Sequence, residues 1–571
     1  MQVSHTLTYL YDTFLSIAVP RIRKVKCDEG FPVCHRCHAT GRKCDGYGVW
    51  GGGENGQSQH LGPSKQSVAV QTRRCFMTPP RELPRTSVSF NEKCCLDWFA
   101  HRTAIKLPGV FAPDFWKTTL FQVSINEPAV LHAVIALSST QRRYVSPSDD
   151  VNQEDIFVLQ QYSQAIVSLQ AHRLRANKAS IHVTLITCLV FIYMEFLRGH
   201  YRTGLIHLEH GLKLLQQIQD STNVVQIVSS KNLSIEERVT GMFRRIYMQA
   251  RLFDQDLAYL PTLLPRLRTK DESNYFTSSS QARQCLENLL LRIVDLQDRY
   301  RQLQLSPTSQ PVPPHSALQN SQADIIEDLN IWFEMHTSKL SKHNKSTKFL
   351  HTFARKLLDV YYTMANIMLA TATRTCEMDY DKHTLSFTSI VNQSLGLYEL
   401  VSPLKLTDQN IIALLQHDLR RFKSTDSIVE MGWIPGLYYT AIKCRIPWIR
   451  RQAIQLLKST SHKEGIADST LAVTIAEKVM EIEEQDFYDN ETAAALNGID
   501  IFAPEESGIH QWSTVVPLPE SHRIQDVKVE LPEDAEGQLR LTCYRNQDYG
   551  ELGMIMCAYD VATQSWTREA T

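Results

Sequence analysis

Four of the thirteen cysteines lie within eighteen residues near the N-terminus, spaced C-x6-C-x2-C-x6-C. They are Cys27, Cys34, Cys37 and Cys44. Zinc takes about four thiolate or imidazole ligands in a tetrahedron, and thiolates two residues apart on a tight turn can reach one ion. A lone C-x2-C pair would be weak support, but on each side a further cysteine follows after six intervening residues. The spacing therefore predicts a zinc site.

The segment around these cysteines, RIRKVKCDEGFPVCHRCHATGRKCDGYG, is strongly basic. From Arg21 to Cys44, its seven Lys and Arg residues against Asp28 and Glu29 give a local charge of +5, whereas the whole chain carries 60 basic and 61 acidic residues. A basic surface attracts phosphate, and neutralising phosphates releases counterions, so such binding depends on salt. Because the chain as a whole is nearly neutral, we expect any nucleic-acid affinity to be local to this segment.

The same segment resembles the last four of the six cysteines of the fungal zinc binuclear cluster, C-x2-C-x6-C-x(5–12)-C-x2-C-x(6–8)-C, in which six cysteines hold two zinc ions. Its run RIRKVKC resembles the family's first helix, and Pro32 takes the place of the proline in the loop that follows. The resemblance implies that Arg23 and Lys24 contact bases, since Lys and Arg donate to the acceptor pair of guanine in CGG-like triplets. The residues implied to contact phosphate, which positions the domain without reading sequence, are Arg21, Lys26, Arg42 and Lys43.

The chain departs from that pattern at the two leading cysteines. They are expected at positions occupied by Ile17 and Pro20, and neither side chain binds metal. In the family the first and fourth cysteines bridge the two ions, so the cysteines that remain complete neither zinc site. The candidates for a replacement nitrogen ligand are His5, His35 and His38. The match is close from Arg21 onward, which favours an altered N-terminus, such as an alternative start, over a degenerate domain.

Length and composition predict several folded domains, because 571 residues with 43% hydrophobic and 21% charged content are ordinary for globular proteins. The predicted fold is mostly α. We expect an atypical N-terminus (1–20), a partial zinc module (21–48), a flexible linker (49–88), a large helical domain (89–507) with a loop near 304–316, and a β-rich C-terminal segment (508–571). The strands expected in that segment are VKVEL (527–531), QLRLTCY (538–544) and GMIMCAY (553–559).

The remaining cysteines are scattered, which suits buried thiols in a reducing compartment rather than a disulfide framework. The apolar N-terminal stretch has no Lys or Arg before its apolar run and carries Asp12, so it is a poor signal peptide. The apolar run 183–194 is shorter than the ~20 residues that a membrane-spanning helix needs, and we expect a buried core helix there and no membrane partner.

Much of 90–571 resembles the regulatory domain called the fungal-specific transcription factor domain. The stretches that carry this resemblance are FAPDFWKTTLFQVSINEPAVLHAVIALSS (111–139), YRTGLIHLEHGLKLL (201–215) and KCRIPWIRRQAIQLL (443–457). The last predicts a helix that opens near Pro447, with Arg450 and Arg451 facing solvent. A core-facing stripe rather than a leucine zipper is predicted by the apolar residues at helical spacing Leu205, Leu208, Leu212, Leu215 and Ile218. The resemblance implies a domain that restrains or relays activation.

No enzyme motif is recognisable, since GGGENG (51–56) follows no strand and GxSxG, HExxH and GxxxxGK[ST] patterns are absent from the sequence. His207 and His210 could bind metal by spacing, but core or surface histidines are favoured. The acidic stretch EIEEQDFYDNE (481–491) is interpreted as a charged helix end, with an activation segment as the alternative.

The resemblance therefore implies a nuclear, sequence-specific regulator of RNA polymerase II transcription, with DNA and the transcription machinery or co-regulators as partners. A small-molecule effector and a homodimer stay open as further partners. The alternative function is a regulatory or interaction protein that lacks DNA binding and acts through its helical domain.

Overall fold

The computed structural model describes residues 89–569, except 112–114, 146–150, 174–177, 223–234, 258–274, 306–314, 339–347, 402–427, 460–461, 486, 489–515, 535–536 and 547–551. All described residues belong to one compact unit, 84–571. The predicted N-terminus (1–20), zinc module (21–48) and most of the predicted linker (49–88) lie outside the described residues.

Helices make up most of the described chain and confirm the mostly-α fold class. The α-helices are α1 (Phe90–Trp98), α2 (Ala104–Lys106), α3 (Leu120–Asn126), α4 (Pro128–Val145), α5 (Val151–Arg173), α6 (Lys178–Arg198), α7 (Tyr201–Thr222), α8 (Ile235–Leu252), α9 (Ser279–Leu305), α10 (His315–Thr337), α11 (Lys348–Ala370), α12 (Thr384–Val401), α13 (Ile434–Lys443), α14 (Pro447–Lys458) and α15 (Ser469–Glu484). Shorter turns are the π-helical segments Phe99–Thr103 and Phe115–Thr119 and the 3₁₀ helices Glu377–His383 and Glu520–His522.

The middle of the apolar stripe of α7 lies in the core, as its spacing predicts. Leu208, Leu212 and Leu215 are all buried, and α7 packs against α6. Leu205 and Ile218, at the two ends of the stripe, are half-buried. Gly211 allows a close approach to α8, because a Cβ there would lie 2.2 Å from the ring of Phe243. Any larger residue at 211 would therefore force the Phe243 ring or the helices themselves to shift.

Helix α6 is long and apolar enough to cross a membrane by length and composition, with a mean hydropathy of 1.8 over Ser180–Arg198. However, 78% of that window is buried inside the fold, where α6 packs between α4 and α7. A fully apolar helix is typical of the interior of a large domain. The structure thus places the run 183–194 in the core, as expected from the sequence.

The ends of α14 and α15 follow from local sequence. Pro447 occupies the first turn of α14, where its missing N–H costs no hydrogen bond. Asp468 caps α15, and its carboxylate accepts from the backbone N–H of Thr470 at 2.8 Å. The proline-rich stretch near 304–316 separates α9 from α10, and 306–314 lie outside the described residues.

A four-stranded antiparallel sheet ends the chain, in the order β3 (Ile524–Glu530), β4 (Gln538–Asn546), β5 (Leu552–Asp560) and β6 (Ser565–Arg568). The first three strands confirm the predicted ones, whereas β6 was not foreseen because it is short and polar. A small hairpin, β1 (Lys463–Glu464) and β2 (Ala467–Asp468), precedes α15. Cys543 and Cys557 lie buried on the sheet, in line with the buried thiols expected from the sequence.

Candidate functional site: a buried ionic core and a polar cavity

The predicted metal and DNA-contact residues all lie outside the described residues. They are Cys27, Cys34, Cys37, Cys44, Arg23, Lys24, Arg21, Lys26, Arg42 and Lys43. Within the part of the chain that the structure describes, no group of three or more His, Cys, Asp or Glu could hold a metal ion. His207 instead lies 2.9 Å from the hydroxyl of Tyr162 through Nε2, and burial lowers its pKa.

Four charged side chains lie together in the interior of the C-terminal half. This set, called the ionic core below, comprises Arg445, Arg450, Glu377 and Glu483, each at most 2% exposed. Arg445 donates to Glu483 Oε1 from Nη2 at 2.9 Å, and its Nη1 lies 3.0 Å from Glu377 Oε2. Arg450 Nη1 lies 2.6 Å from Glu483 Oε2. Buried charges persist only when they are paired in this way.

The electrostatics of the two acids follow from this pairing. Burial by itself raises the pKa of Glu377, but Lys443, Arg445 and Arg374 outweigh it and lower that pKa to about 2. Burial likewise raises the pKa of Glu483, and Arg445 and Arg450 reverse the effect so that the pKa lies below its ordinary value. Both carboxylates are therefore charged in the folded protein at neutral pH.

The ionic core joins elements that are distant in sequence. Arg445 lies between α13 and α14, Arg450 lies in α14, and Glu483 lies near the end of α15. The backbone N–H of Ile524, at the start of β3, donates to Glu483 Oε1 at 2.7 Å. Glu377, which begins a 3₁₀ helix, adds a further element. The sheet is thus attached to the helices through the buried charged side chains of the ionic core.

The prediction that Arg450 and Arg451 face solvent is wrong. Arg450 is fully buried and Arg451 is 6% exposed. Arg451 forms a bidentate pair with Glu484, at 3.1 and 2.5 Å. A helical wheel assigns Arg to the solvent face, but acids on a neighbouring helix supply the partners that make burial tolerable. Glu483 and Glu484 of the acidic stretch 481–491 take this structural role, which fits the charged-helix-end interpretation.

A cavity of about 540 Å³ lies beside the ionic core. Its walls come from the end of α8, from α9, from the segment after α11, from α13 and from β3. The ionisable side chains that line it are Arg251, Arg301, Arg374, Lys443, Lys528, Asp254, Asp256, Asp298, Glu377 and Asp526, with the tyrosines Tyr300, Tyr380, Tyr438 and Tyr439. Cavities of this size hold small organic molecules.

Asp254 stands out among these residues by its backbone and its surroundings. It has a φ of +52°, a left-handed conformation that Asp tolerates better than most residues. Its Oδ2 accepts from the hydroxyl of Tyr438 at 2.8 Å. Burial raises the pKa of Asp254 to about 6, although the Tyr438 hydrogen bond and the charge of Lys443 act in the opposite direction.

The raised pKa of Asp254 predicts a pH-dependent difference in stability between the unmodified chain and Asp254→Asn. The folded state binds this proton more tightly than the unfolded state. Asp254 therefore costs little stability below pH 4, and the cost grows as the pH rises to about 6. At one pKa unit per 1.36 kcal/mol, the variant should gain about 2–3 kcal/mol relative to the unmodified chain between pH 4 and pH 7.

Urea unfolding at the two pH values measures this change. The matched control is Asp256→Asn, since Asp256 is exposed and pairs with Lys528 at the surface. We expect the control to stay within ~1 kcal/mol of the unmodified chain at both pH values. If the stability of Asp254→Asn, relative to the unmodified chain, changes with pH no more than that of the control, the ionisation of Asp254 does not destabilise the fold.

Two segments of the chain match known protein families. Residues 95–415 match the family described as fungal specific transcription factor domain. The chain belongs to that family. Residues 21–49 match the fungal Zn(2)-Cys(6) binuclear cluster domain, a zinc-binding domain. That second match begins at 21 and so does not include Ile17 and Pro20.

Two curated proteins are similar to parts of the chain. The aspercryptin biosynthesis cluster-specific transcription regulator atnN of Emericella nidulans is 31% identical over 215 residues, which is 35% of this chain and 34% of that protein. The transcription regulator lscL of Purpureocillium lilacinum is 26% identical over 224 residues, which is 37% of this chain and 52% of that protein. The chain thus spans about a third to a half of these relatives. No solved structure matches the chain.

The fungal specific transcription factor domain match ends at 415, whereas the ionic core and the cavity extend beyond it. Sequence reasoning missed both features. Their residues recur at no fixed spacing, and Asp254 and Tyr438 lie 184 positions apart. Helices such as α14, where Arg interrupts an apolar pattern, give a weak indication of buried charge. The pattern does not show which acid pairs with that Arg.

Proposed function

We propose that this chain is a nuclear regulator of RNA polymerase II transcription that binds CGG-like DNA triplets through residues 21–48 and is controlled by its helical domain. The observation that carries the proposal is the presence, in one chain and in this order, of matches to a zinc cluster domain and to the fungal specific transcription factor domain. The names of the two similar proteins support a role in transcription. This role is regulatory and not catalytic.

The donor chemistry of residues 21–48 bears on how zinc is held. Cys27, Cys34, Cys37 and Cys44 supply four thiols, which is the ligand number of one tetrahedral zinc ion. The set does not fit the two-ion cluster, which requires six cysteines in the family that it resembles. When bound, zinc supplies folding free energy to a module too small to fold alone.

In the proposed module, basic residues divide into two roles. Arg23 and Lys24 lie in the run RIRKVKC ahead of the first thiol, and contact bases in the major groove. Arg21, Lys26, Arg42 and Lys43 contact phosphate and set the orientation on the duplex. The local charge of the segment, against a net charge of -1 for the chain, concentrates DNA affinity there.

These roles predict different outcomes for two Lys→Ala substitutions. Lys24→Ala should cost about 1–3 kcal/mol on a CGG-containing duplex and little on a scrambled duplex, because a base contact is lost. Lys43→Ala should weaken both duplexes alike and reduce the salt slope by about one unit. Fluorescence anisotropy with both duplexes over a salt series measures these effects. Equal losses on the two duplexes for both variants would refute the assigned roles.

A second candidate function is a regulator that does not bind DNA and acts through its helical domain. The presence of Ile17 and Pro20 at the two leading ligand positions favours it. This function predicts that the purified chain contains no zinc and shows no salt-sensitive binding to a CGG-containing duplex, while the helical domain remains folded.

A further inference from the structure

The polar cavity beside the ionic core is lined by five basic and five acidic side chains, and these charges are unevenly paired. Every basic side chain that lines it already pairs with an acid. The pairs are Arg251 with Asp298 at 2.6 Å, Arg301 with Asp526 at 3.4 Å, Arg374 with Glu377 at 2.8 Å, Lys443 with Glu377 at 3.4 Å and Lys528 with Asp256 at 3.0 Å. Glu377 takes two of these bases, so one acid in the lining is left over.

That acid is Asp254. Among the described residues, none places a cation within ion-pairing distance of it, and its hydrogen bond comes from the neutral hydroxyl of Tyr438. A second acceptor nearby is also incompletely used, because Asp298 Oδ2 is buried without a hydrogen-bond partner among the described residues. The cavity therefore contains carboxylate oxygens that receive no hydrogen bond from the described residues. Leaving a buried acceptor without a donor costs free energy.

An anionic ligand would fit this lining poorly. It would lie close to the carboxylate of Asp254, and each lining base that could attract it already pairs with an acid. An apolar ligand would remove water from the charged walls without replacing its hydrogen bonds. An ammonium group, by contrast, donates up to three hydrogen bonds and would place a cation within ion-pairing distance of Asp254. Neutral amides and hydroxyls in the lining, including Gln297, Thr375 and Gln525, suit the polar remainder of such a molecule.

We propose that this cavity binds a small polar organic cation, a primary amine whose ammonium group pairs with Asp254. The volume of about 540 Å³ fits a molecule of metabolite size. Tyr438 and Tyr300 add aromatic surface of the kind that attracts organic cations.

Binding at this place would act on the association of the sheet with the helices. Gln525, Asp526 and Lys528 of β3 form one wall, while α8, α9 and α13 contribute the others. A ligand that bridges these walls stabilises their packing. The step from such stabilisation to control of transcription rests on the proposed function, but the binding itself does not.

The test uses three five-carbon probes that differ in their end groups: 1,5-diaminopentane, 1,5-pentanediol and glutarate. Thermal unfolding of the full-length chain, with titration calorimetry as a second readout, measures their binding at matched ionic strength. We expect the diamine to raise Tm by about 2 °C or more at millimolar concentration, whereas the diol and the diacid give no increase.

Asp254→Asn identifies the site. Asn tolerates the left-handed backbone and can accept the Tyr438 hydrogen bond, so the variant is expected to fold. Its affinity for the diamine should fall at least tenfold, and the ligand-induced increment in Tm should vanish even if the Tm of the free variant changes. Glu481→Gln, which alters an exposed carboxylate outside the lining, should bind the diamine like the unmodified chain.

Three results would overturn the proposal: no binding of the diamine, equal binding of the diol or glutarate, or full binding by Asp254→Asn. None of these readouts requires DNA. A chain that binds DNA but not the diamine refutes the cavity assignment alone, and a chain that binds the diamine but not DNA refutes only the DNA-binding part of the proposed function.

Discussion

Replacing Glu483 with Gln is expected to lower the free energy of unfolding by about 3–5 kcal/mol. Glu483 is completely buried and is the shared partner of Arg445 and Arg450. A neutral Gln leaves the positive charge of two buried guanidinium groups without its main counter-charge. The loss is large because the cost of an uncompensated buried charge exceeds the net value of the original pair.

Urea unfolding of the two chains at neutral pH measures this loss. The matched control is Glu481→Gln, since Glu481 lies two residues earlier, is 66% exposed and pairs with Lys478 at the surface. Exposed pairs of this type contribute about 0–1 kcal/mol. If Glu483→Gln costs no more than Glu481→Gln, the ionic core does not hold the sheet to the helices. A double variant with Arg450→Leu should show a coupling of at least ~1 kcal/mol.

Replacing Cys34 with Ser is expected to reduce affinity for a CGG-containing duplex by at least about 10³-fold, to the level of nonspecific binding. In the family that residues 21–48 resemble, the cysteine at this position bridges both zinc ions. Its loss removes a ligand that no neighbouring thiol replaces, and small zinc modules unfold without metal. Zinc content per chain and anisotropy with labelled duplex are the two readouts.

Cys75→Ser serves as the control, because it removes a thiol from the predicted linker and leaves the four clustered cysteines intact. A chain with Ile17→Cys and Pro20→Cys is the positive control, and we expect it to bind more zinc than the unmodified chain. Retained zinc and undiminished DNA affinity in Cys34→Ser would contradict the assigned ligand set. Binding that appears only in the variant with six cysteines would select the second candidate function.

The sequence predicted those parts of the fold that depend on local patterns. Apolar spacing along α7 identified Leu208, Leu212 and Leu215 as core residues, and alternation near the C-terminus identified three strands that the structure contains. Turn chemistry identified Pro447 as a helix start. Each of these features is set within a few residues of chain, where periodicity and capping apply.

Features that depend on long-range contacts were not accessible from the sequence. The orientation of Arg450 was mispredicted because its partner Glu483 lies on another helix, and a single-helix pattern places any Arg outside. Asp254 showed no unusual neighbours in the sequence, since its environment comes from Tyr438 and β3. Burial of charge and the shape of a cavity are properties of packing, which the order of residues specifies only through the whole fold.

Sequence-specific DNA binding is measured by the affinity of the purified full-length chain for a CGG-containing duplex and for a scrambled duplex of equal length over a salt series. We expect the chain to bind the CGG duplex at least about 10³-fold more tightly than the scrambled one, with an affinity that falls steeply with salt because binding releases counterions from the DNA. Equal affinity for the two duplexes, or no salt-dependent binding to either, would contradict it.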